Sequence, residues 1–156
     1  MPIAHRPLSE EDVPFVRQLI LQMVTDELGA AAWPDALRAP LLEMQCRARS
    51  EGIRVNWPDA EQEILLSNGQ PAGWAVVARR GDAIHLVDIA IVPELRGQGL
   101  GTSRIRELLE ESDRTGKPVR LSVTTINPAN RLYERLGFRR TGGDEVRHYL
   151  ERPAGG

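Results

Sequence analysis

The sequence lacks the features that mark several classes of protein. It has a single cysteine, Cys46, so it forms no intrachain disulfide and offers no cysteine cluster to a metal ion. No apolar run approaches the roughly 20 residues that a membrane-spanning helix needs, and the N-terminus has no basic segment followed by an apolar one. We therefore expect a cytoplasmic protein without a metal or a membrane partner, in which Cys46 packs in the core.

An excess of charge of one sign is also missing. The chain has 20 lysines and arginines against 22 aspartates and glutamates, which gives a formal net charge of -2. No overall basic field therefore favours nucleic acid or anionic lipid as a partner. At 156 residues, 41% hydrophobic and 27% charged, the sequence suits one folded domain over 1–156.

Apolar periodicity predicts an edge strand, two helices and then three strands in the first part of the chain. Apolar residues three and four positions apart indicate two antiparallel amphipathic helices, and β-rich segments with turn signals between them indicate strands. The predicted ranges are 3–6 for an edge strand, 9–28 and 37–52 for the helices, and 61–66, 71–79 and 83–92 for a three-stranded meander. The loops around Trp33 and Trp57 either form a binding mouth or are anchored to the core by these rings, and the sequence leaves both open.

Three alternating glycines, Gly97, Gly99 and Gly101, join the last strand of this meander to an amphipathic helix. Such a loop lets the backbone approach a ligand, and the first N–H groups of the helix are unpaired at the positive end of its dipole. Arg96 adds a positive charge with several donors. The loop is predicted to bind phosphate, but it has neither the Gly-Lys-Ser/Thr ending of a P-loop nor the Gly-x-Gly-x-x-Gly spacing of dinucleotide-binding folds.

The C-terminal part contains a second motif. The helix should end near Gly116, and a strand over 119–125 should pair in parallel with the strand before the glycine loop. A short helix follows over 127–137, and alternating residues over 139–151 complete the sheet. Tyr133 on the short helix combines an apolar ring with a hydroxyl that needs a polar partner, so this hydroxyl is a candidate for chemistry.

These two segments resemble signatures of the GNAT superfamily of N-acetyltransferases. The first reads Arg96-Gly97-Gln98-Gly99-Leu100-Gly101, and the second reads Leu132-Tyr133-Glu134-Arg135-Leu136-Gly137-Phe138. The resemblance implies an α/β (α+β) fold with a mixed central sheet of six to seven strands flanked by about four helices. It also implies that acetyl-CoA is the cosubstrate, held by the glycine loop through its pyrophosphate.

The resemblance extends to single residues. It implies that Asn127 contacts the pantetheine arm, that Asn130 contacts coenzyme A, and that Tyr133 protonates the departing thiolate. The strand before the loop would splay from its neighbour, and its backbone around 89–92 would pair with the pantetheine. The coenzyme-binding residues expected on this basis are Ile91, Val92, Arg96, Gly97, Gln98, Gly99, Leu100, Gly101, Thr102, Asn127, Asn130 and Tyr133.

The expected reaction is direct transfer of the acetyl group to a primary amine in a ternary complex. Such an amine needs an acceptor for its proton, and Asp88 on the strand before the loop is the first candidate, with Glu61, Glu63 and His85 as alternatives. The acids Asp59, Glu61, Glu63 and Asp88 would suit a cationic acceptor, either a small molecule or a protein amine.

Two other functions fit the same motifs. A non-catalytic acyl-CoA sensor would use the same fold without turnover, and a nucleotide-binding protein would use the same phosphate loop. A homodimer is a possible assembly that the sequence leaves open.

Overall fold

The computed structural model describes residues 3–155, which form a seven-stranded mixed sheet with two helices on each face. The strands are β1 (His5–Pro7), β2 (Glu61–Ser67), β3 (Gln70–Arg79), β4 (Ile84–Ile91), β5 (Val119–Thr124), β6 (Arg139–Gly143) and β7 (Arg147–Arg152). The helices are α1 (Val13–Leu28), α2 (Asp35–Asn56), α3 (Leu100–Thr115) and α4 (Asn130–Arg135). The strand order is β1-β2-β3-β4-β5-β7-β6. The predicted mixed sheet with four flanking helices is thus confirmed.

Each face of the sheet has its own apolar core. On one face, α1 and α2 pack on β2, β3 and β4 through residues that include Val16, Leu19, Leu42, Ile64, Trp74 and Val76. On the other face, α3 and α4 pack on β4, β5 and β7 through residues that include Ile84, Leu86, Ile105, Leu108, Val119, Leu121 and Leu150. The alternation of side chains along each strand places successive residues on opposite faces, so both cores draw on the same central strands.

Helix α2 is longer than its sequence pattern predicts. The apolar pattern predicts a helix that ends at Gly52 and a loop over 53–59, whereas α2 continues to Asn56. The reason is that Ile53 is buried and extends the core-facing row of Leu42 and Cys46 by two further turns. Burial of this side chain outweighs the roughly 1 kcal/mol that a glycine costs inside a helix. The expected burial of Cys46 is confirmed, at 8% exposure.

Strand β4 is irregular at its centre. It pairs antiparallel with β3 along its length, but the register shifts between Val76 and Val77, which leaves Val87 as an extra residue. Such a β-bulge bends a strand and changes the direction of its side chains. The bulge lies just beyond the point where β4 stops pairing with β5.

The parallel pairing of β4 with β5, which the sequence predicts, is short. Only Ile84 with Val119 and His85 with Arg120 are in register. Beyond them the strands separate, so residues 86–91 of β4 have no ladder partner on the β5 side among the residues that the structure describes. An opening is therefore present near the middle of the sheet.

A buried ion pair fixes α3 against β2. Arg104 of α3 donates from Nε to Oε1 of Glu63 at 2.5 Å and from Nη2 to Oε2 at 3.2 Å, and both residues are at most 5% exposed. Separating a buried pair leaves an uncompensated charge, so this contact resists rotation of α3 about its axis.

None of the helices within residues 3–155 has the length and apolar character that a membrane-spanning helix requires.

Candidate active site

A groove of about 970 Å³ lies where the glycine loop faces α4. Its walls come from α1, the end of β4, the beginning of α3, and the segment between β5 and α4. The residues of the two sequence motifs that line it are Arg96, Gly97, Gly99, Leu100, Gly101, Leu132, Tyr133 and Arg135, and the predicted coenzyme-binding residues Ile91, Thr102 and Asn127 line it as well. The fold thus brings together two motifs that are about 30 residues apart in the sequence.

The glycine loop presents a row of free backbone donors to this groove. The first regular backbone bond of α3 runs from the Ser103 N–H to the Gly99 carbonyl at 2.9 Å. Within residues 3–155, none of the N–H groups of residues 97–102 has an acceptor. Gly97 and Gly99 have φ of 79° and 82°, in the left-handed region that favours glycine. The row of N–H groups and the helix dipole together favour an anion here.

Two arginines line the groove. Arg96, which the sequence predicts, donates from Nη1 to Asp26 of α1 at 3.1 Å and from Nε to the Ile91 carbonyl at 3.3 Å. Arg135 of α4 also lines the groove, and no carboxylate of the described residues lies within 4 Å of it. Arg135 belongs to the second motif, but the motif alone assigns it no role. Its position two residues after Tyr133 was the available signal.

Tyr133 lies in the wall of the groove with its ring in the core. The ring is edge-on to Phe138 with a centroid distance of 5.6 Å, and the residue is 7% exposed. No group among the described residues hydrogen-bonds to its hydroxyl. Burial, followed by the negative charge of Asp88, raises the pKa of Tyr133 to about 12. The hydroxyl is therefore protonated at neutral pH and can donate a hydrogen bond to a ligand.

The opening between β4 and β5 adjoins this groove. It forms a gap of about 60 Å³, with room for about two water molecules. Residues that line both spaces include Glu27, Thr124, Asn127 and Tyr133. Tyr133 thus lies at the junction between the groove on one face of the sheet and the gap through it.

Asp88 lines the gap and is held by three hydrogen bonds. Arg49 of α2 donates to its two carboxylate oxygens at 2.7 and 3.2 Å, and the Ile89 N–H donates to Oδ1 at 3.1 Å. Arg49 also contacts Glu27 of α1 at 3.2 Å. Sequence reasoning missed both Arg49 and Glu27, because residues from three separate elements meet here and no local pattern signals their contact.

Three of the predicted coenzyme-binding residues do not line the groove. The Val92 N–H donates to the Ala72 carbonyl at 2.9 Å. The Asn130 side chain donates to the Thr124 and Asn127 carbonyls at 3.0 and 2.8 Å, so it fixes the start of α4 instead of facing the groove. The Gln98 side chain is exposed, but its backbone N–H belongs to the free row.

The backbone expected to pair with pantetheine is also partly occupied. The Ile89 N–H is taken by Asp88, the Ile91 carbonyl by Arg96, and the Val92 N–H by Ala72. A ligand that paired along this strand would have to replace some of these contacts.

The alternative proton acceptors lie away from the groove. Glu61 is exposed, with Arg79 at 3.7 Å. Glu63 is buried against Arg104. His85 packs on Trp57 with a centroid distance of 4.8 Å. Burial and the nearby charge of Arg80 lower the pKa of His85, but it lines neither the groove nor the gap.

The acids that the sequence analysis assigned to a cationic acceptor each have an arginine partner. Asp59 contacts Arg80 at 3.0 Å, and Glu61, Glu63 and Asp88 contact Arg79, Arg104 and Arg49. Arg79 also binds Glu111 and Arg49 also binds Glu27, so a net negative charge remains beside Glu61 and beside Asp88.

The two tryptophans do not form a binding mouth at this groove. Trp33 packs on the core beneath α1 and α2, and the Arg80 guanidinium lies 4.1 Å from the Trp57 ring centroid. Both rings therefore hold their own segments in place and do not line a binding site at the groove.

Comparisons with known proteins identify relatives of this chain. A model of the family described as "Acetyltransferase (GNAT) family" matches residues 24–138, which is more than half of the chain. The chain belongs to the GNAT acetyltransferase family. Thialysine N-epsilon-acetyltransferase of Bos taurus is 37% identical over 87 residues, which cover 48% of this chain and 51% of the relative.

A second relative gives a similar match. Ribosomal protein bS18-alanine N-acetyltransferase of Escherichia coli K12 is 36% identical over 76 residues, which cover 47% of this chain and 51% of the relative. The matched part of this GNAT chain thus spans about half the length of the two relatives.

Solved structures extend the likeness of fold to nearly the whole chain. The PaiA N-acetyltransferase of Thermoplasma acidophilum, crystallised in complex with coenzyme A, matches with a TM-score of 0.71 and 16% identity. The match covers 98% of this chain and 99% of that one. At this identity the match shows the fold alone.

The direction in which the free N–H groups of residues 97–102 point should depend on the left-handed conformation of Gly99. Alanine at Gly99, with φ of 82°, would cost about 1 kcal/mol of stability, and we expect it to weaken acetyl-CoA binding by roughly tenfold because the row shifts. Isothermal titration calorimetry and urea unfolding would measure the two effects.

Gly116→Ala provides a matched control. Gly116 ends the same helix with φ of 75° and has open space around it, so its replacement should cost similar stability but leave acetyl-CoA affinity unchanged. Equal affinities of the Gly99 and Gly116 variants would contradict the assignment of the anion site.

Proposed function

We propose that this GNAT protein is an N-acetyltransferase that moves the acetyl group of acetyl-CoA directly to a primary amine of a small molecule or a protein. The observation that carries the proposal is the placement of the Tyr133 hydroxyl, without a partner among the described residues, where the anion-binding groove meets the gap through the sheet. A thioester held by the N–H row can extend toward this point, and an amine can approach it through the gap. Positioning the two reactants accounts for much of the rate of such a transfer.

The proposed cosubstrate fits the charge of the groove. The pyrophosphate would accept from the N–H groups of residues 97–102, and Arg96 and Arg135 would supply positive charge at the two sides. We propose that Asn127 and Ile91 contact the pantetheine arm, since both line the groove between the loop and Tyr133. The side chains of Val92, Gln98 and Asn130 do not line the groove, so we propose no side-chain contact between them and acetyl-CoA.

In the proposed reaction, one proton leaves the amine and the departing sulfur gains stabilisation of its negative charge. The amine nitrogen bonds to the acetyl carbon, the carbon–sulfur bond breaks, the amine loses a proton, and the thiolate gains hydrogen-bond or proton donation. With the pKa of Tyr133 raised to about 12, complete proton transfer to a thiolate of pKa about 8.5 costs on the order of 5 kcal/mol. Tyr133 therefore acts chiefly by donating a hydrogen bond to the sulfur as its charge develops.

We propose Asp88 as the acceptor of the proton of the amine, acting through water in the gap. Its Oδ1 already accepts from both Arg49 and Ile89, whereas Oδ2 accepts only from Arg49 and can accept one further hydrogen bond from water. The gap has room for water beside the carboxylate. Arg49 keeps the carboxylate in position from the α2 side.

The proposed reaction needs no metal. Among residues 3–155, no group of three or more His, Cys, Asp or Glu side chains is placed to hold one. We also propose that the protein acts in the cytoplasm, which suits its single, buried and unpaired cysteine. The near-neutral net charge supports a function without nucleic acid or membrane as partner.

The direct test is release of free thiol from acetyl-CoA with a panel of primary amines. We expect turnover with at least one amine, and Tyr133→Phe should lower kcat by about 100-fold while acetyl-CoA affinity stays the same. The phenylalanine keeps the ring packing on Phe138, so only the hydroxyl is lost. Because the pKa of Tyr133 is about 12, no fall in wild-type kcat assignable to this group should occur below about pH 11.

Tyr149→Phe is the matched control, since Tyr149 is the other tyrosine of the chain and is 54% exposed on β7. Binding of acetyl-CoA without turnover of any amine would favour the alternative, a non-catalytic acyl-CoA sensor. Equal thermal stabilisation by ATP and by coenzyme A would favour a nucleotide-binding protein.

The role of Asp88 has a distinct pH signature. Asp88→Asn should lower kcat/KM by about 100-fold at pH values where the acceptor is an ammonium. The deficit should shrink as the pH rises through the pKa of the acceptor, because the amine then arrives neutral. Asp59→Asn, which changes an acid outside the groove, is the control. A deficit that is the same at every pH would show that Asp88 only positions other groups.

We also propose that the protein forms a homodimer through α2. The side of this helix opposite its buried residues carries Leu37, Leu41, Met44 and Val55, which are 37–59% exposed. Exposed apolar stripes of this kind often mark interfaces between proteins. Light scattering should give twice the mass of one chain for the wild type and the mass of one chain for Met44→Glu. A wild-type monomer at all concentrations would refute the dimer.

A further inference from the structure

We infer that Arg147 selects acceptors that carry an oxyanion close to the reacting amine, an inference that rests on the proposed acetyl transfer. Arg147 begins β7 and lines the gap between β4 and β5, on the side from which an amine would approach. The class of acceptor is therefore a small zwitterion: a primary amine joined by a short spacer to a carboxylate, sulfonate or phosphonate.

The face of the sheet that carries Arg147 is open. Leu121 and Val123 of β5 and Leu150 of β7 belong to the core under α3 and α4. By strand alternation, Ser122 and Arg147 point to the opposite face. The helices α1 and α2 cover β2, β3 and β4 on that face, and Ser122 is exposed beside them. A small molecule can thus reach Arg147 from solvent.

The Arg147 guanidinium has donors to spare. Its Nη1 donates to the Ser122 hydroxyl at 3.0 Å, and no carboxylate in the described part of the chain lies within 4 Å of it. Asp144, three residues before Arg147, accepts instead from the backbone N–H groups of Val146 and Arg147 at 2.8 and 2.9 Å. Arginine binds carboxylates and related oxyanions through two parallel donors, and those donors are available here.

The second arginine of the gap is fully engaged. Arg49 contacts Asp88 and Glu27, so these three side chains together carry one net negative charge. Arg147 adds one positive charge at another part of the same wall. A zwitterion complements this arrangement, with its ammonium toward the acidic group near Tyr133 and its oxyanion toward Arg147. Charge complementarity of this kind selects among partners that share the same reactive group.

The experiment compares acceptors that differ only in the anionic group. β-Alanine, taurine and aminoethylphosphonate have spacers of the same length with a carboxylate, a sulfonate or a phosphonate, and β-alaninamide is the neutral counterpart. We expect the wild-type kcat/KM to be at least about tenfold higher for one of the anionic acceptors than for β-alaninamide. The acceptor with the highest value identifies which oxyanion the site prefers.

Arg147→Gln should then lower kcat/KM for that acceptor by about 10- to 100-fold and leave β-alaninamide within about threefold. Arg147→Lys should restore part of the loss, since it keeps the charge without the paired donors. Arg139→Gln, which removes an exposed arginine outside the gap, is the matched control. Urea unfolding of each variant would show whether the fold is retained.

A binding measurement separates this inference from the proposed function. Calorimetric titration of each acceptor into protein that holds coenzyme A requires no turnover. Anion-dependent binding that is lost in Arg147→Gln, with no turnover of any amine, would uphold the selectivity and refute the transferase. Normal turnover with equal losses for β-alaninamide and the anionic acceptors, or with no wild-type preference, would refute the selectivity and leave the transferase intact.

Discussion

The separation of β4 from β5 is the feature on which the rest of the site depends. Unpaired backbone groups inside a protein cost free energy unless another partner is found, so a sheet normally closes such an opening. Here the two strands pair at only two positions and then diverge, and the bulge at Val87 bends β4 at that point. The polar groups released along β4 are met by Asp88 and Arg96, both of which line the walls of the resulting spaces. The groove, the gap and the exposure of Tyr133 to both follow from this divergence.

Ion pairs between arginines and carboxylates determine which charges remain available in the groove and the gap. Most acids near the sheet already have an arginine partner, among them Glu63 in the core and Asp88 in the gap. What remains to attract anionic ligands is a set of donors: the N–H row at the start of α3, and the guanidinium groups of Arg135 and Arg147. The electrostatic character of the site is thus set more by unpaired donors than by the acids that a reading of the sequence singles out.

The elements with strong local signals could be predicted from the sequence. The strand before the glycine loop, the helix after it and the short tyrosine helix each have apolar spacing, caps or glycine stops, and the structure confirms them. The end of α2 could not be predicted, because the burial of Ile53 against the core overrides the local effect of Gly52.

The contacts of the gap could not be predicted for a related reason. Arg49 and Asp88 are 39 residues apart and meet only because α2 lies across the sheet. The contacts of Asn130 are a second case, since its position in a motif does not reveal that its amide caps the end of β5. Both cases concern side chains whose partners belong to other elements of the fold.

Two adjacent residues of α1 serve different walls of the site. Asp26 contacts Arg96 in the glycine loop, whereas Glu27 contacts Arg49 beside the gap. Successive residues of a helix are related by a fixed rise and rotation. The offset between the glycine-loop wall of the groove and the Arg49 wall of the gap is therefore maintained by the backbone of one helical turn. It can change only if that turn unwinds or α1 moves as a whole.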